Sequence, residues 1–315
     1  MKKSALVFLT DQRGFELTEH AAAAALITQG SIRHIIVFCV DFLPLEQTRL
    51  QEQAKNRDFA FEYRPIDGVC SARVGYVASD AHSHVTSAAL LKMAALNALS
   101  TEFDRALYVD SDVLLMQDFE LAKIDFGGAA IAAVYDIARS GGLSSDPDFF
   151  ERCAAYGRSP HYFNSGVIAV DFARWNAHYV LQYNLALLEH AKRCDYKADC
   201  SSTDQCAWNR VFERAWKRLP LTLNLQACAM FSYHWTDAVV RHYVGPVKFI
   251  PFRAWRNDAL DTVLLNQARR VIGLPPLGYW PARLVKSINA VRNYQFAKAA
   301  DAAIFRIQQM YIEPM

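Results

Sequence analysis

The sequence lacks the features that mark several protein classes. It has no Asn-x-Ser/Thr acceptor site, no CxxC pair and no apolar run near the roughly 18 residues of a membrane span. The phosphate-binding motifs GxxxxGK[ST] and GxGxxG are absent, as are the HExxH and GxSxG motifs of zinc peptidases and hydrolases. The net charge is only +2, from 34 basic and 32 acidic side chains, so no nucleic-acid partner is expected.

The seven cysteines are an odd number, which favours reduced thiols and a cytoplasmic protein over a disulfide framework. Cys194, Cys200 and Cys206 follow one another at intervals of six, which suggests a metal site, but this spacing matches no tetrahedral zinc pattern. The apolar stretch at residues 5–9 is too short for the core of a signal peptide and predicts a first strand instead.

The 315 residues, 52% of them hydrophobic and 21% charged, are enough for one large α/β domain with an appendage. Short apolar runs alternate with helix-like stretches, which is typical of βαβ units. Strands are predicted at residues 5–9, 34–40, 105–109, 129–134 and 165–170. Helices are predicted at residues 19–28, 45–55, 85–99, 173–190 and 203–216, with a binding loop at residues 138–162.

The last part of the chain, residues 251–315, is basic and rich in aromatic side chains. Residues 253–306 contain nine Lys or Arg and three Asp, interleaved with Trp255, Tyr279, Trp280, Tyr294 and Phe296. This pattern favours a helical tail that contacts an anionic membrane surface. The alternative is an ordinary terminal helix that packs on the domain and keeps its charges in water.

Two carboxylates, Asp110 and Asp112, follow directly after the apolar strand predicted at residues 105–109. Side chains alternate along an extended chain, so both carboxylates point to the same side. They lie at the carboxyl end of the strand, where open α/β sheets bind ligands, and their oxygens suit Mg²⁺ or Mn²⁺ bridging to a diphosphate. A second pair, Asp146 and Asp148, lies in a Ser/Pro-rich loop and is interpreted as a turn.

Four blocks of the sequence resemble those of glycosyltransferase family 8, in the family's order. They are Leu107-Tyr108-Val109-Asp110-Ser111-Asp112, Tyr162-Phe163-Asn164-Ser165-Gly166-Val167, Asp204-Gln205-Cys206-Ala207-Trp208-Asn209 and His242-Tyr243-Val244-Gly245-Pro246-Val247-Lys248. The resemblance covers about residues 5–250. It implies an α/β fold of the GT-A type, in which a single Rossmann-like domain with a mixed central sheet binds a nucleotide sugar. We therefore expect a catalytic domain at residues 1–250 and a C-terminal helical extension at residues 251–315.

The resemblance also implies an activity, namely transfer of glucose or galactose from a UDP-sugar to a saccharide or glycolipid such as lipopolysaccharide, with retention of configuration. Mn²⁺, or Mg²⁺, would be held by Asp110, Asp112 and His242, while Asp204 and Gln205 would act at the sugar. The donor would also meet Thr10, Asp11, Phe15, Lys92, Ser111, Asn164, Ser165, Gly166, Gly245 and Lys248, with Asp136 near the donor sugar. Structural alternatives stay open, since Asn-Ser-Gly also forms turns, Asp204 could cap a helix and a lone histidine often belongs to a core.

Of the positions that depart from the family pattern, two bear on the reaction, and Phe249 and Ile250 are the others. Lys92 stands where the family usually has Arg, which keeps the charge but loses a bidentate fork. Cys206 replaces the second acid of its block and so removes one carboxylate that could act as a nucleophile. We therefore favour transfer on the front face of the sugar, in which the departing phosphate helps to deprotonate the acceptor. A nucleotide-sugar hydrolase and a catalytically silent sugar-nucleotide-binding scaffold remain alternatives.

Overall fold

A computed structural model describes residues 3–44, 48–67, 87–143, 148–197, 200, 203–245, 248–249, 258–277 and 290–311. Several positions singled out in the sequence lie outside these residues, namely Asp146 of the second Asp pair and the tail aromatics Trp255, Tyr279 and Trp280. The described strands form a sheet of seven and a sheet of three.

The strands in chain order are β1 Ser4–Thr10, β2 His34–Val40, β3 Ala60–Ile66, β4 Arg105–Val109, β5 Val113–Leu115, β6 Ile131–Tyr135, β7 Phe163–Asp171, β8 Trp216–Arg218, β9 Leu225–Gln226 and β10 Val240–His242. The large sheet has the order β3-β2-β1-β4-β7-β6-β8. Its first four strands are parallel, and β7 runs antiparallel to both β4 and β6. The predicted α/β fold with a mixed central sheet is therefore confirmed.

The small sheet has the order β5-β10-β9 and extends from the carboxyl end of β4. Residues 110–112 connect β4 to β5, and His242 of β10 pairs with Val113 at the start of β5. This antiparallel register brings a residue from late in the chain beside the two aspartates.

The helices are α1 Phe15–Thr28, α2 Arg49–Lys55, α3 Lys92–Ala98 after a 3₁₀ turn at Ser87–Leu91, α4 Ile137–Ser140, α5 Phe149–Ala155, α6 His178–Lys192, α7 Thr203–Val211, α8 Ala259–Val271 and α9 Ala290–Met310. Shorter 3₁₀ turns lie at Leu121–Lys123, Leu221–Leu223, Ala227–Ala229 and Tyr233–Trp235. Helix α1 buries its run of five alanines, residues 21–25, whose small side chains let it lie close to neighbouring elements.

Several predicted segments differ from the structure. The helices predicted at residues 19–28 and 173–190 begin at Phe15 and at His178, and two further segments differ more. The helix predicted at residues 203–216 ends at Val211, because Arg214 adopts a left-handed φ of +61° and Trp216 then begins β8. The loop predicted at residues 138–162 contains the short helices α4 and α5. The density of Gly, Pro and Ser predicted a loop throughout this region and so concealed both helices.

The described tail helices pack on the rest of the chain. Helix α8 contacts α1 and buries Leu264, Leu265 and Ala268, while α9 contacts α4 and buries Ala303 and Ile307. At the start of α8, Asp258 and Asp261 each lie 2.7 Å from the guanidinium of the fully buried Arg241. None of the described helices is long and apolar enough to cross a membrane.

Candidate active site

A cleft of about 350 Å³ opens beside the carboxyl ends of β1 and β4. It is lined by Leu9, Thr10, Asp11, Gly14, Leu17, Ala88, Ala89, Lys92, Tyr108, Asp110, Ser111, Asp112, Asn164, Ser165, Gly166, Asp204, Gln205, His242, Val244, Gly245 and Lys248. Every site residue predicted from the sequence lines this cleft except Phe15 and Asp136. Its volume is in the range of pockets that hold small organic ligands.

Asp110, Asp112 and His242 converge at the floor of the cleft. One ligand atom from each residue lies within 4.8 Å of the ligand atoms of the other two. Nε2 of His242 is 3.2 Å from Oδ1 of Asp112, and Nδ1 is 3.0 Å from Oδ1 of Asn224. If Nδ1 donates to Asn224, the lone pair of Nε2 faces the carboxylates, which is the arrangement that metal-binding histidines adopt. These three residues could therefore hold a divalent cation.

Gly166 leaves the room that this convergence needs. A Cβ atom at position 166 would lie 2.1 Å from Cε1 of His242 and 2.8 Å from Oδ2 of Asp110. The pairing of β6 with β7 shifts register nearby, since Ala133 faces Ile168 but Val134 faces Asn164. Such irregularities are frequent next to active sites, where they redirect side chains. The Asn-Ser-Gly block is thus a distorted strand end rather than a simple turn.

Lys92 is a buried cation between two carboxylates. Its side chain is 3% exposed, and Nζ lies 2.9 Å from Asp110 and 2.9 Å from Asp204. Burial acts to lower the pKa of Lys92, but the two carboxylates outweigh burial and raise the pKa overall. Tyr108 adds a hydrogen bond of 2.7 Å from its hydroxyl to Asp110. These contacts fix the Asp110 side chain in one orientation.

Asp112 is held by Lys248 and His242 on the other wall. Lys248 donates to its Oδ2, and His242 lies against its Oδ1. Burial acts to raise the pKa of the Asp112 carboxyl, but His242 and Lys248 outweigh it and lower the pKa overall. Asp112 is therefore ionised at neutral pH, so its oxygens could bind a cation.

A hydrogen-bonded network supports the cleft from behind. Gln205 donates from Nε2 to Asp136 at 2.9 Å and accepts from Asn164 at 3.1 Å. Asn164 accepts from Asn224, which in turn contacts His242. Asp136 also caps the N-terminus of α4. It contacts Gln205 but does not itself line the cleft. Asn224 was not predicted as a site residue. It is a fully buried amide between Leu223 and Leu225, and its polar character in an apolar segment is the signal that could have identified it.

The far end of the cleft is formed by the residues after β1. Thr10 and Asp11 line it, and Ser111 accepts a hydrogen bond of 2.8 Å from Thr18 of α1. Phe15 points away and packs against Phe42 and Tyr63, with ring centroids 5.4 and 5.8 Å apart. Its stacking role toward a nucleotide base stays a prediction.

Comparison with known proteins decides the family. The model of "Glycosyl transferase family 8" matches residues 21–257. The chain belongs to glycosyl transferase family 8. This family 8 chain is therefore a glycosyltransferase, as its sequence blocks predicted.

Two curated proteins are similar to parts of this glycosyltransferase. Glycosyltransferase GlyF of Streptococcus pneumoniae is 29% identical over 124 residues, which are 39% of this chain and 26% of GlyF. General stress protein A of Bacillus subtilis is 23% identical over 204 residues, 64% of this chain and 66% of that protein. The matches thus span less than two thirds of either relative.

Solved structures of similar fold include the galactosyltransferase LgtC, in complex with donor and acceptor sugar analogues. LgtC is 17% identical, with a TM-score of 0.63 over 89% of this chain and 98% of LgtC. The bifunctional glycosyltransferase WbbM is also 17% identical, with a TM-score of 0.60 over 94% of this chain and 52% of WbbM. At this level of identity the likeness shows the fold, which is of the GT-A type as predicted.

Proposed function

We propose that this family 8 chain transfers glucose or galactose from a UDP-sugar to a saccharide or glycolipid acceptor, with retention of configuration. The observation that carries the proposal is the convergence of Asp110, Asp112 and His242 in one cleft beside Lys248. Mn²⁺, or Mg²⁺, fits this set of two carboxylates and an imidazole. When bound, the ion would neutralise charge on the departing diphosphate.

Different residues around the proposed metal would bind different parts of the UDP-sugar donor. Thr10 and Asp11 would hold the uridine end, since they line the cleft after β1. Lys248 and the backbone at Gly245 would meet the diphosphate, where a cation and a glycine with φ of +80° allow close approach. Asp204 would accept from sugar hydroxyls on the opposite wall.

The pairing of the carboxylates favours transfer on the front face of the sugar. Asp110 and Asp204 share Lys92, Asp112 binds Lys248 and His242, and Asp11 accepts from the backbone of Gly14. Among the described residues, every carboxylate lining the cleft is thus engaged by a donor, and Cys206 supplies none. Gln205, held by Asp136 and Asn164, would lie against the anomeric carbon as a neutral group.

The test is a donor and acceptor assay. The full chain is incubated with UDP-glucose or UDP-galactose and Mn²⁺, with and without lipopolysaccharide or oligosaccharide acceptors, and UDP release and product linkage are followed. We expect release that acceptors stimulate and a product that keeps the anomeric configuration of the donor. Release that ignores acceptors would identify a hydrolase, and donor binding without turnover would identify a scaffold, so either result contradicts the proposal.

A paired substitution assigns the metal. Asp112→Ala should abolish Mn²⁺-dependent donor binding, measured by calorimetry, because it removes a ligand and the partner of Lys248. Asp125→Ala is the matched control, since that carboxylate is 85% exposed and absent from the cleft. Unchanged donor binding in Asp112→Ala would overturn the metal assignment.

The tail, residues 251–315, is proposed as the part that carries the catalytic unit, residues 1–250, to the inner face of the cell membrane. Helix α9 keeps Tyr294 and Phe305 exposed at 69% and 61%, beside a buried face. Exposed aromatic rings with nearby cations suit a membrane interface. This peripheral contact would give a cytoplasmic enzyme access to a glycolipid acceptor.

Vesicle sedimentation tests this contact. Full-length protein should bind vesicles that contain phosphatidylglycerol, less so at high salt, and the double variant Tyr294→Ser/Phe305→Ser should lose most of this binding. Leu181→Ser on α6, which is also exposed, is the control. If the wild-type protein ignores anionic vesicles, the membrane contact is wrong.

A further inference from the structure

A second group of metal-ligating side chains lies outside the cleft, where α6 is joined to α7. His190 is in the last turn of α6, Cys194 and Cys200 follow it, and Cys206 is in the first turns of α7. One ligand atom from each of the four residues lies within 4.8 Å of all the others. The three cysteines alone, spaced by six residues, match no zinc pattern. The fourth residue of the group, His190, lies in the preceding helix and so was not connected with them.

The distances between the thiols match those around a tetrahedral zinc ion. Sγ of Cys206 is 3.7 Å from Sγ of Cys194 and 3.4 Å from Sγ of Cys200. Zinc–sulfur bonds of about 2.3 Å in tetrahedral geometry place sulfurs about 3.8 Å apart, whereas a disulfide needs about 2.05 Å. The thiols are therefore spaced for a shared ion.

A buried guanidinium faces these sulfurs. Arg139, 8% exposed, donates to Sγ of Cys206 at 3.3 Å and to Sγ of Cys200 at 3.6 Å. No carboxylate of the described residues forms an ion pair with Arg139. Arg139 also donates to the hydroxyl of Tyr162 at 2.6 Å and interacts with the charge of Asp136. A buried cation favours negative charge beside it, so Arg139 favours the thiolate forms of Cys200 and Cys206.

Aromatic rings cover part of this group, in which Cys194 and Cys206 are buried and His190 and Cys200 are half-buried. Cys194 and Cys206 are buried with the aromatic rings of Phe149, Tyr162 and Tyr196. Nε2 of His190 is buried, and the imidazole interacts with the thiols of Cys200 and Cys206. A closed set of four nitrogen and sulfur ligands is typical of structural zinc, whereas catalytic zinc keeps an open position.

We propose that His190, Cys194, Cys200 and Cys206 bind a structural zinc ion that joins the end of α6 to the start of α7. On binding, the three thiols lose their protons to solvent and the imidazole stays neutral. Zinc with three thiolates has a net charge of minus one, which the guanidinium of Arg139 balances. Because α7 also carries Asp204 and Gln205, the ion would fix the wall of the cleft, although the proposal does not depend on which reaction the cleft performs.

The first test uses the full-length protein purified without chelators from zinc-supplemented medium. We expect about one tightly bound zinc ion per chain by elemental analysis. Cobalt substituted for zinc should show the thiolate charge-transfer band and the intense visible bands of tetrahedral cobalt. A native protein that contains no zinc, or one whose mass and peptide map show a disulfide between Cys200 and Cys206, would overturn the proposal.

Substitutions then locate the ion. Cys200→Ser and His190→Ala should each weaken zinc binding by more than about 100-fold, whereas Cys228→Ser, at an exposed cysteine outside the group, should keep it. Asp112→Ala should keep the zinc and the cobalt–thiolate band, because its carboxylate belongs to the cleft. If Asp112→Ala loses the zinc, the ion binds at the cleft and the proposal is wrong. The cobalt spectrum of the wild-type protein stands even if a cysteine variant fails to fold.

Discussion

Two groups of metal-ligating side chains lie on different sides of the first turns of α7, and they differ in chemistry and in access. Asp110, Asp112 and His242 line an open cleft with hard oxygen ligands and flanking lysines. His190 and three cysteines form a closed set with soft sulfur ligands and one flanking guanidinium. Under the two proposals above, ligand type and access favour an exchangeable ion beside substrate in the first group and a permanent one in the second.

Helix geometry explains how two such different groups come so close. Successive residues of an α-helix point about 100° apart, so Gln205 and Cys206 serve different surroundings although they are neighbours. Gln205 reaches Asp136 and Asn164 behind the cleft, while Cys206 meets Cys200 and Tyr162. Substitutions that affect one group and spare the other can therefore test whether the two are independent.

The largest expected effect comes from Gly166→Ala. The added Cβ would occupy the place of the His242 ring, so the three ligands of the cleft could not keep their arrangement. We expect transfer activity to fall by more than about 100-fold, since a displacement of about 1 Å at a reacting centre has that effect. The measurement is the initial rate of UDP release with acceptor present.

Gly157→Ala is the matched control, because a Cβ there meets no atom within 4 Å although φ is +64°. It should lose a little stability and keep its activity. Zinc content should be unchanged in Gly166→Ala. An active Gly166→Ala enzyme would contradict the geometry of the cleft, and loss of zinc in that variant would contradict the independence of the two groups.

A smaller effect is expected from Lys92→Met, which keeps the shape of the side chain but removes its charge. Asp110 and Asp204 would then be left close together without their shared cation. Breaking such a buried pair costs about 3–5 kcal/mol of unfolding free energy, and we expect the KM for the donor to rise. Lys92→Arg, which restores the residue usual in the family, should retain activity. Wild-type stability and kinetics in Lys92→Met would show that Lys92 is unimportant, contrary to its position.

The residues that line the cleft, including Lys92, show how much of the candidate site could be predicted from the sequence. The four blocks supply most of the residues that line the cleft, at the ends of β4 and β10, the start of β7 and the first turn of α7. Each block is contiguous, so its resemblance to the family can be recognised along one chain. The fold class followed from alternating patterns for the same reason. Asn224 was missed because its importance arises only from contact with His242 and Asn164, which lie far away in sequence.

Phe15 and His190 illustrate two different reasons why positions could not be predicted from the sequence. Phe15 was predicted at the site but does not line the cleft, and His190 was not predicted as a metal-ligating residue. Phe15 follows the first strand at a suitable distance, but its ring packs with Phe42 and Tyr63, and no periodicity reveals which partner an aromatic ring will choose. His190 looked like one more residue of a long helix. It reaches the cysteines only because α6 ends shortly after it and the chain turns back into α7.

A further prediction concerns the guanidinium that distinguishes the closed group. Arg139→Met should weaken zinc binding by about 10- to 100-fold, because hydrogen bonds to ligating sulfurs stabilise the thiolates. The measurement is competition for zinc with a chromogenic chelator. Arg152→Met is the control, since Arg152 reaches the backbone oxygen of Cys194 and not its sulfur. Equal zinc affinity in Arg139→Met and the wild type would show that Arg139 does not act on the ion.

The smallest expected effect is at Asp195, next to Cys194, where a salt bridge holds the segment in addition to the proposed zinc ion. Arg158 donates to its Oδ2 at 2.8 and 2.9 Å. Burial acts to raise the pKa of Asp195, but the bonds from Arg158 outweigh it and lower the pKa below its ordinary value of 3.8. The carboxylate therefore contributes stability above about pH 4, and this contribution is lost as the pH falls through the lower folded-state pKa.

Asp195→Asn should lower the unfolding free energy by about 1 kcal/mol at neutral pH, a modest value because Arg158 is partly exposed. Urea unfolding of both proteins, repeated as the pH is lowered, should show this difference constant down to about pH 4 and shrinking below it. The difference should also be larger in zinc-depleted protein, because the salt bridge would then fix residues 193–197 without the ion. A difference that is independent of zinc would mean that the metal and Asp195 hold separate parts of the chain.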